Sequence, residues 1–263
     1  MREGTEMAPR TKPKPAAGSA ASHHHTLAID VGGTGLKASV LDEAGKMMTD
    51  RVRVETPVGA APAKIVAALA LLVKPLPPFD RVSVGFPGVV RDGVVFTAPN
   101  LRNDGWRGFD LAAALHRRLG KPVRVINDAD MQGLGVIRGR GIEMVVTLGT
   151  GFGTGLYSHG RLAPHLEIAH HPFRKGEDYD QQLGEAARGK IGNKKWNRRV
   201  RIAIETLRRL VNFDRLYVGG GNAKHIAFKP GADVVLVDNK AGIEGGIALW
   251  REFGARNSDA RKS

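Results

Sequence analysis

Apolar positions along the chain fall into short runs punctuated by glycine and longer runs with helical spacing. Leu27-Ala28-Ile29-Asp30-Val31 leads through Gly32-Gly33-Thr34-Gly35 into Leu36-Lys37-Ala38-Ser39-Val40. This order predicts strand, tight turn, strand, a β-hairpin whose glycines supply positive φ. Met47 to Val54 reads as a third strand, reached through a turn at Gly45. Ala60 to Val73 has helical periodicity, and Pro75-Leu76-Pro77-Pro78 ends it. Val82 to Phe86 is a short apolar strand running into Pro87-Gly88. Val89 to Phe96 reads as a hairpin around Asp92-Gly93, and Thr97 to Gly108 as an irregular polar loop. Asp110 to Leu119 predicts a helix stopped by Gly120.

The second half repeats the opening pattern. Val123 to Ile126 predicts a strand with Asn127-Asp128 at its carboxyl end, where parallel α/β folds place ligands. Met131 to Arg138 continues as a helix. Ile142 to Leu148 and Phe152 to Ser158 read as strands around Gly149-Thr150-Gly151, a second glycine-turn hairpin. His165 to Pro172 reads as a polar loop or helix start, and Tyr179 to Arg188 and Trp196 to Val211 as helices. Leu216 to Val218 is a strand ending in Gly219-Gly220-Gly221-Asn222, and Val234 to Val237 another. The last helix runs from Ile243 to Phe253. Residues 1–25 are rich in Pro, Ala, Ser and Lys, and read as a disordered tail. Alternating strands and helices predict an α/β fold with mostly buried sheets.

Composition narrows the classes. A chain of 263 residues can hold one large domain or two small ones. No apolar run approaches the ~20 residues of a membrane span, and the start lacks the apolar core of a signal peptide. The absence of cysteine rules out disulfides and thiolate metal ligands, and fits a cytoplasmic location. Lys and Arg number 40 against 26 Asp and Glu, a net charge of +14. Such a surface attracts polyanions: nucleic acid, anionic membrane or polyphosphate. A generally basic, solubilising surface is the plain alternative.

The glycine turns carry the chemistry. Glycines let backbone N–H groups approach a phosphate closely, and two such turns can clamp one phosphate chain from two sides. Neither turn is a Walker loop, and neither is a dinucleotide fingerprint, because a strand follows. Phosphoryl transfer to an alcohol also needs a positioned hydroxyl and a base. Asp128 suits the base; the competing role is a cap on the helix that follows. Glu167 and His170, three residues apart, share one face of a helix and can hydrogen-bond vicinal hydroxyls.

In this order, from about Leu27 to about Trp250, the motifs resemble the ROK family of sugar kinases. That family lies within the actin-like/hexokinase superfamily of ATPases. Among its members the chain is most similar to the polyphosphate glucokinases and glucomannokinases. The resemblance implies a ribonuclease H-like α/β ATPase fold of two lobes with a central cleft. Residues 26–126 would form the small lobe, with a C-terminal helix at 243–256 packing back onto it, and 127–242 the large lobe.

It also implies roles. Asp128 would be the catalytic base for the sugar 6-hydroxyl. Gly88, Asn100, Asn127, Asp128, Glu167 and His170 would bind the sugar. Asp30, Gly32, Gly33, Thr34, Gly35, Lys37, Thr150, Gly151 and Gly153 would surround the phosphates, with Asp30 holding Mg²⁺ through water. Gly220, Gly221 and Asn222 would border a nucleotide. The family's Glu-x-Gly-His appears here as Glu167-Ile168-Ala169-His170, and the Cys-rich zinc loop of many members has no counterpart. Mg²⁺ without zinc is the expected complement. Seven cations and no acid lie between Glu185 and Glu205. Lys194, Lys195, Arg198, Arg199 and Arg201 among them would form a polyphosphate track, or simply a solvated helix face.

The implied activity moves a phosphoryl group from inorganic polyphosphate, and from ATP, to the 6-hydroxyl of glucose or mannose. A monomer or homodimer would act without nucleic acid or membrane. One alternative is a glucokinase or fructokinase that uses only ATP. Another is a sugar-responsive regulator, although the Pro-rich stretch before Leu27 is too short for a helix-turn-helix domain.

Overall fold

Two five-stranded sheets carry the fold in a computed structural model describing residues 24–57, 59–237 and 245–251. The first contains β1 (Thr26–Val31), β2 (Gly35–Leu41), β3 (Val52–Glu55) and β4 (Arg81–Phe86). A hairpin of β5 (Val90–Arg91) and β6 (Val94–Val95) precedes its last strand, β7 (Val123–Asn127). The order is β3-β2-β1-β4-β7, with β1 antiparallel to β2 and parallel to β4.

The second sheet contains β8 (Ile142–Leu148), β9 (Phe152–Ser158) and β10 (Arg161–Leu162). A ribbon of β11 (Pro172–Arg174) and β12 (Glu177–Asp178) precedes β13 (Arg215–Gly219) and β14 (Val234–Leu236). Its order, β10-β9-β8-β13-β14, repeats the plan of an antiparallel hairpin extended by parallel strands. The helices are α1 (Pro62–Leu72), α2 (Leu111–Leu119), α3 (Asp128–Leu134), α4 (Tyr179–Leu183) and α5 (Glu185–Val211).

Alternation decides which face each strand buries. Leu27, Ile29 and Val31 of β1 and Leu36, Ala38 and Val40 of β2 point into one core with Ile65 and Leu69 of α1 and Leu115 of α2. The opposite face meets helical residues 245–251. There the Trp250 indole donates to Ser83 Oγ at 2.9 Å, and the Arg124 guanidinium lies 4.0 Å from the ring centre. A Cβ on Gly246 would stand 3.2 Å from that of Ala28, so glycine permits this approach. In the second sheet Met144, Val146 and Leu148 pack with Trp196, Val200 and Leu207 of α5. Gly192, with φ 74°, breaks α5 between the two helices read from the sequence.

Several expectations shift. β3 begins only at Val52; Met47 makes an isolated bridge to Leu41. None of the glycines in the two phosphate-type turns has positive φ, contrary to the hairpin rule invoked for them. Gly32 and Gly33 are required for space instead. A Cβ on Gly32 would lie 2.9 Å from Gly35 O, and one on Gly33 3.0 Å from Asn100 O. Left-handed turns occur at Asp92-Gly93 (φ 49° and 84°), His159-Gly160 (50° and 78°) and Lys175-Gly176 (55° and 76°), in the β5–β6, β9–β10 and β11–β12 hairpins. Helix α3 starts at Asp128, not Met131, because Asn127 Oδ1 accepts the Ala129 and Asp130 N–H groups at 2.8 and 3.2 Å. It ends at Leu134, four residues before the expected Arg138. The tail at 1–23 and residues 243–244 and 252–256 of the expected last helix lie outside the described residues.

Candidate active site

The carboxyl ends of β1, β4 and β7, the start of α3 and the two glycine turns surround a cavity of about 730 Å³. All six residues expected at the sugar and all nine expected at the phosphates border it. A second cavity, about 470 Å³, adjoins it and is bordered by Gly220, Gly221, Gln132, Glu185 and Arg51. The two share Asp30, Lys37, Asp128, Thr147, Gly149 and Thr150. These six residues mark the boundary at which a sugar on one side and a phosphate donor on the other would meet.

Each glycine turn is closed by its own backbone. Gly32 N donates to Gly35 O, and Gly149 N to Gly151 O, both at 3.0 Å. Lys37 Nζ lies 2.9 Å from Asp30 Oδ2, so the cation of β2 and the carboxylate of β1 face each other across the first hairpin. Asp180 supports the second turn: its carboxylate accepts the Phe152 N–H, and a Cβ on Gly151 would strike it. Burial pushes the Asp180 carboxyl above its ordinary value.

Asp128 opens α3 with one carboxylate oxygen accepting the Ala129 N–H at 2.8 Å. Burial, and then the negative charge of Asp30, push its pKa up to about 7. A carboxylate so poised suits general-base work near neutrality. The capping role considered for Asp128 belongs instead to Asn127. Asn127 Nδ2 also donates to Gly88 O at 3.2 Å, fixing the Pro87-Gly88 loop to the start of α3. Gly88 has no room for a side chain, because a Cβ would run into the Thr97 carbonyl.

The 730 Å³ cavity is completed by the loop after β6 and by the turn Ile168–His170. Trp106, 1% exposed, anchors that loop, its indole donating to Ala60 O at 2.7 Å. Asn100 borders the cavity and touches Gly33. Asn103 instead donates to Gly59 O and caps Gly105. Glu167 and His170 both face the cavity, and His170 Nδ1 stands 3.5 Å from Asp178 Oδ2. Their segment is a 3₁₀ turn rather than an α-helix.

Other expected residues fall elsewhere. Asn222, 1% exposed, braces the second turn: Nδ2 donates to Gly149 O at 3.0 Å, and Oδ1 accepts from Arg188 at 3.1 Å. It does not border the donor-side cavity, whereas Gly220 and Gly221 do. None of Lys194, Lys195, Arg198, Arg199 and Arg201 borders either cavity. Sequence reading missed Thr147, Asp180, Arg51 and the buried pair His165–Asp130. Asp130 stood in the Asn-Asp-Ala-Asp motif, and Arg51 and Arg53 alternate with valines, which signals one strand face. Nothing in the sequence marked Asp180.

Asp30 and Asp128 are two carboxylates facing shared space, and the charge of one disfavours ionisation of the other. A divalent cation relieves that repulsion, and Mg²⁺ is commonly held by one or two carboxylates together with substrate phosphates. The pair therefore fits Mg²⁺. Among the described residues no three His, Cys, Asp or Glu side chains cluster to hold a metal.

Comparison with known proteins gives consistent results. The sequence pattern of the ROK family matches residues 26–167. A polyphosphate glucokinase from Mycobacterium tuberculosis (strain ATCC 25618 / H37Rv) is 30% identical over 252 residues, covering 91% of each chain. Among solved structures, the inorganic polyphosphate/ATP-glucomannokinase from Arthrobacter sp. strain KM is 32% identical with a TM-score of 0.77. That match covers 86% of this chain and 99% of the other. A glucokinase from Streptomyces griseus, solved with glucose and AMPPNP, shares the fold with a TM-score of 0.70 at 22% identity. It covers 86% of this chain and 98% of its own.

Proposed function

The chain belongs to the ROK family, and from that premise we propose that it is a hexose kinase. It transfers a phosphoryl group from inorganic polyphosphate, and from ATP, to the 6-hydroxyl of glucose or mannose. The carrying observation is Asp128, the carboxylate that borders both cavities at the start of α3. Glu167, His170 and Asn100 hold sugar hydroxyls on one side of it. Asn127 positions the Gly88 loop beside them. Asp128 accepts the 6-hydroxyl proton as the oxygen attacks the terminal phosphorus. The N–H groups of the two glycine turns and the Lys37 ammonium stabilise the charge on the phosphoryl oxygens. Mg²⁺, when bound near Asp30 and Asp128, supplies further neutralisation of the phosphates. Residues 26–126 with 243–256, and 127–242, act as lobes that close on the sugar and exclude water. The setting is the cytoplasm, and the working unit a monomer or homodimer.

Polyphosphate as donor is supported by the net charge of +14 and by the named relatives. ATP as sole donor is the second reading, favoured by the cavity that Gly220 and Gly221 border. Purified protein incubated with glucose or mannose, Mg²⁺ and either donor separates the two. Hexose 6-phosphate formed from polyphosphate supports the proposal. Product from ATP alone selects the second reading, and product from neither refutes both.

A further inference from the structure

Three cations stand on the cleft side of the first sheet's edge. Val52 packs toward the core, so by alternation Arg51 and Arg53 occupy the opposite face. Arg53 is the direct register partner of Lys37 on β2, and Arg51 borders the donor-side cavity with Lys37. The Arg53 guanidinium rests on the first glycine turn: a Cβ on Gly35 would lie 2.9 Å from its Nε and 3.3 Å from its Nη2. Gly35 thus makes room for an arginine.

Like charges directly opposite on neighbouring strands destabilise a sheet. Asp30 offsets Lys37, but among the described residues no acid pairs with Arg51 or Arg53. Both are exposed. Charge on an edge strand also discourages edge-to-edge association. That role does not call for an arginine laid on a phosphate-type turn or for another at a cavity wall. An anion does, since guanidinium groups bind phosphate through two parallel hydrogen bonds. Same-face residues on a strand are about 6.7 Å apart, which sets the cations as a row leading away from the turn.

The basic run on α5 is placed differently. Arg199 donates to Gln182 O at 3.3 Å, and Arg201 lies 4.7 Å from the Phe228 ring centre. We propose that a long polyphosphate donor leaves the cleft over Lys37, Arg53 and Arg51, along the β2–β3 edge, and not along α5. This rests on the reading of polyphosphate as a donor.

The test uses inorganic polyphosphates of defined length, with binding measured directly as well as turnover. Arg51→Glu/Arg53→Glu is compared with Lys194→Glu/Lys195→Glu/Arg198→Glu, and glucose binding checks folding. The edge variant is expected to raise the KM for long polyphosphate at least about tenfold, equal to ~1.4 kcal/mol. The loss grows with polyphosphate length and shrinks at high salt, which screens exposed charges. Arg51→Lys/Arg53→Lys, which restores the charge but not the bidentate geometry, recovers part of the affinity. Should the charge reversal lose glucose binding, Arg51→Gln/Arg53→Gln carries the comparison instead. The proposal is overturned if the edge variant stays within about twofold of the unaltered protein, or if the α5 variant carries the loss. An unaltered protein that neither binds nor uses polyphosphate removes the donor reading itself, and this path with it.

Discussion

His165 Nδ1 lies 2.9 Å from Asp130 Oδ2, and the two side chains are 8% and 3% exposed. On its other edge the same ring faces Glu167 Oε2 at 3.7 Å. One imidazolium therefore joins α3, which begins with Asp128, to the carboxylate on the sugar side. Burial alone would lower the His165 pKa, but Asp130 and Glu167 outweigh it and hold the ring at about 10. The ring is thus a cation at neutral pH. Its contribution to stability is complete below the ordinary histidine value and is lost as pH rises toward 10.

His165→Leu deprives Asp130 of this counter-ion, and breaking a buried pair typically costs ~3–5 kcal/mol. The expected result is a lower Tm and a sugar KM raised more than kcat falls, since Glu167 loses its support while Asp128 stays in place. His165→Lys, which restores a cation, should recover part of the sugar affinity. An unchanged KM in a folded His165→Leu protein would limit this ring to holding the fold.

Much of the site was legible because its residues cluster in short motifs at strand ends. Asp30, the Gly32–Gly35 turn, Lys37, Asn127-Asp128, Glu167 and His170 all border one cavity. Contacts between distant segments were not legible. Asp180 reaches Phe152, and Asn222 reaches Gly149, across separations that periodicity does not encode. The α5 cations border neither cavity. Charge density drew attention to them, yet orientation decides what a charge touches. Arg51, only one among many arginines in sequence, borders the donor-side cavity, and Arg53 of β3 lies against Gly35. The glycine turns were found for a partly wrong reason: none has positive φ, and backbone packing excludes side chains at Gly32 and Gly33, whereas Gly35 faces Arg53 and Gly151 faces Asp180.

Glu167 and His170 border the sugar-side cavity, while neither borders the donor-side one. Glu167→Ala and His170→Ala should each raise the sugar KM, with little change in the KM for either donor. A hydroxyl left without its buried partner costs roughly 1–3 kcal/mol, about five- to two-hundredfold in affinity. Glu167→Ala is expected to be the more damaging, because it also removes the carboxylate facing His165. Steady-state kinetics with the sugar and the donor varied separately decide the matter. Equal rises in both constants would move these residues away from the sugar.

Asp128→Asn addresses both chemistry and stability. The amide keeps the shape of the side chain but cannot take the sugar proton, so turnover should fall about 10²–10⁴-fold with sugar binding largely retained. A variant keeping more than about a tenth of the activity would remove Asp128 from its role. In the unaltered protein the carboxyl is raised to about 7, first by burial and then by Asp30, whereas an unfolded chain titrates near ~4. Below the lower value both states hold the proton and no stability is lost. Between them the unfolded chain ionises while the folded one keeps its proton, so this group lowers stability as pH rises, reaching its full effect above about 7. The amide has no such titration. In Mg²⁺-free buffer at pH 8 the variant should therefore melt above the unaltered protein, by ~2–4 °C for each kcal/mol recovered. At pH 4 the difference should vanish. The same titration governs activity, since only the ionised carboxylate accepts a proton. The kcat/KM for sugar should climb about tenfold per pH unit on the acid side and level off above the pKa of the free enzyme. A variant that melts lower at pH 8 would show that Asp128 is held by partners that favour its charge, the reverse of an ionisation opposed by burial and Asp30.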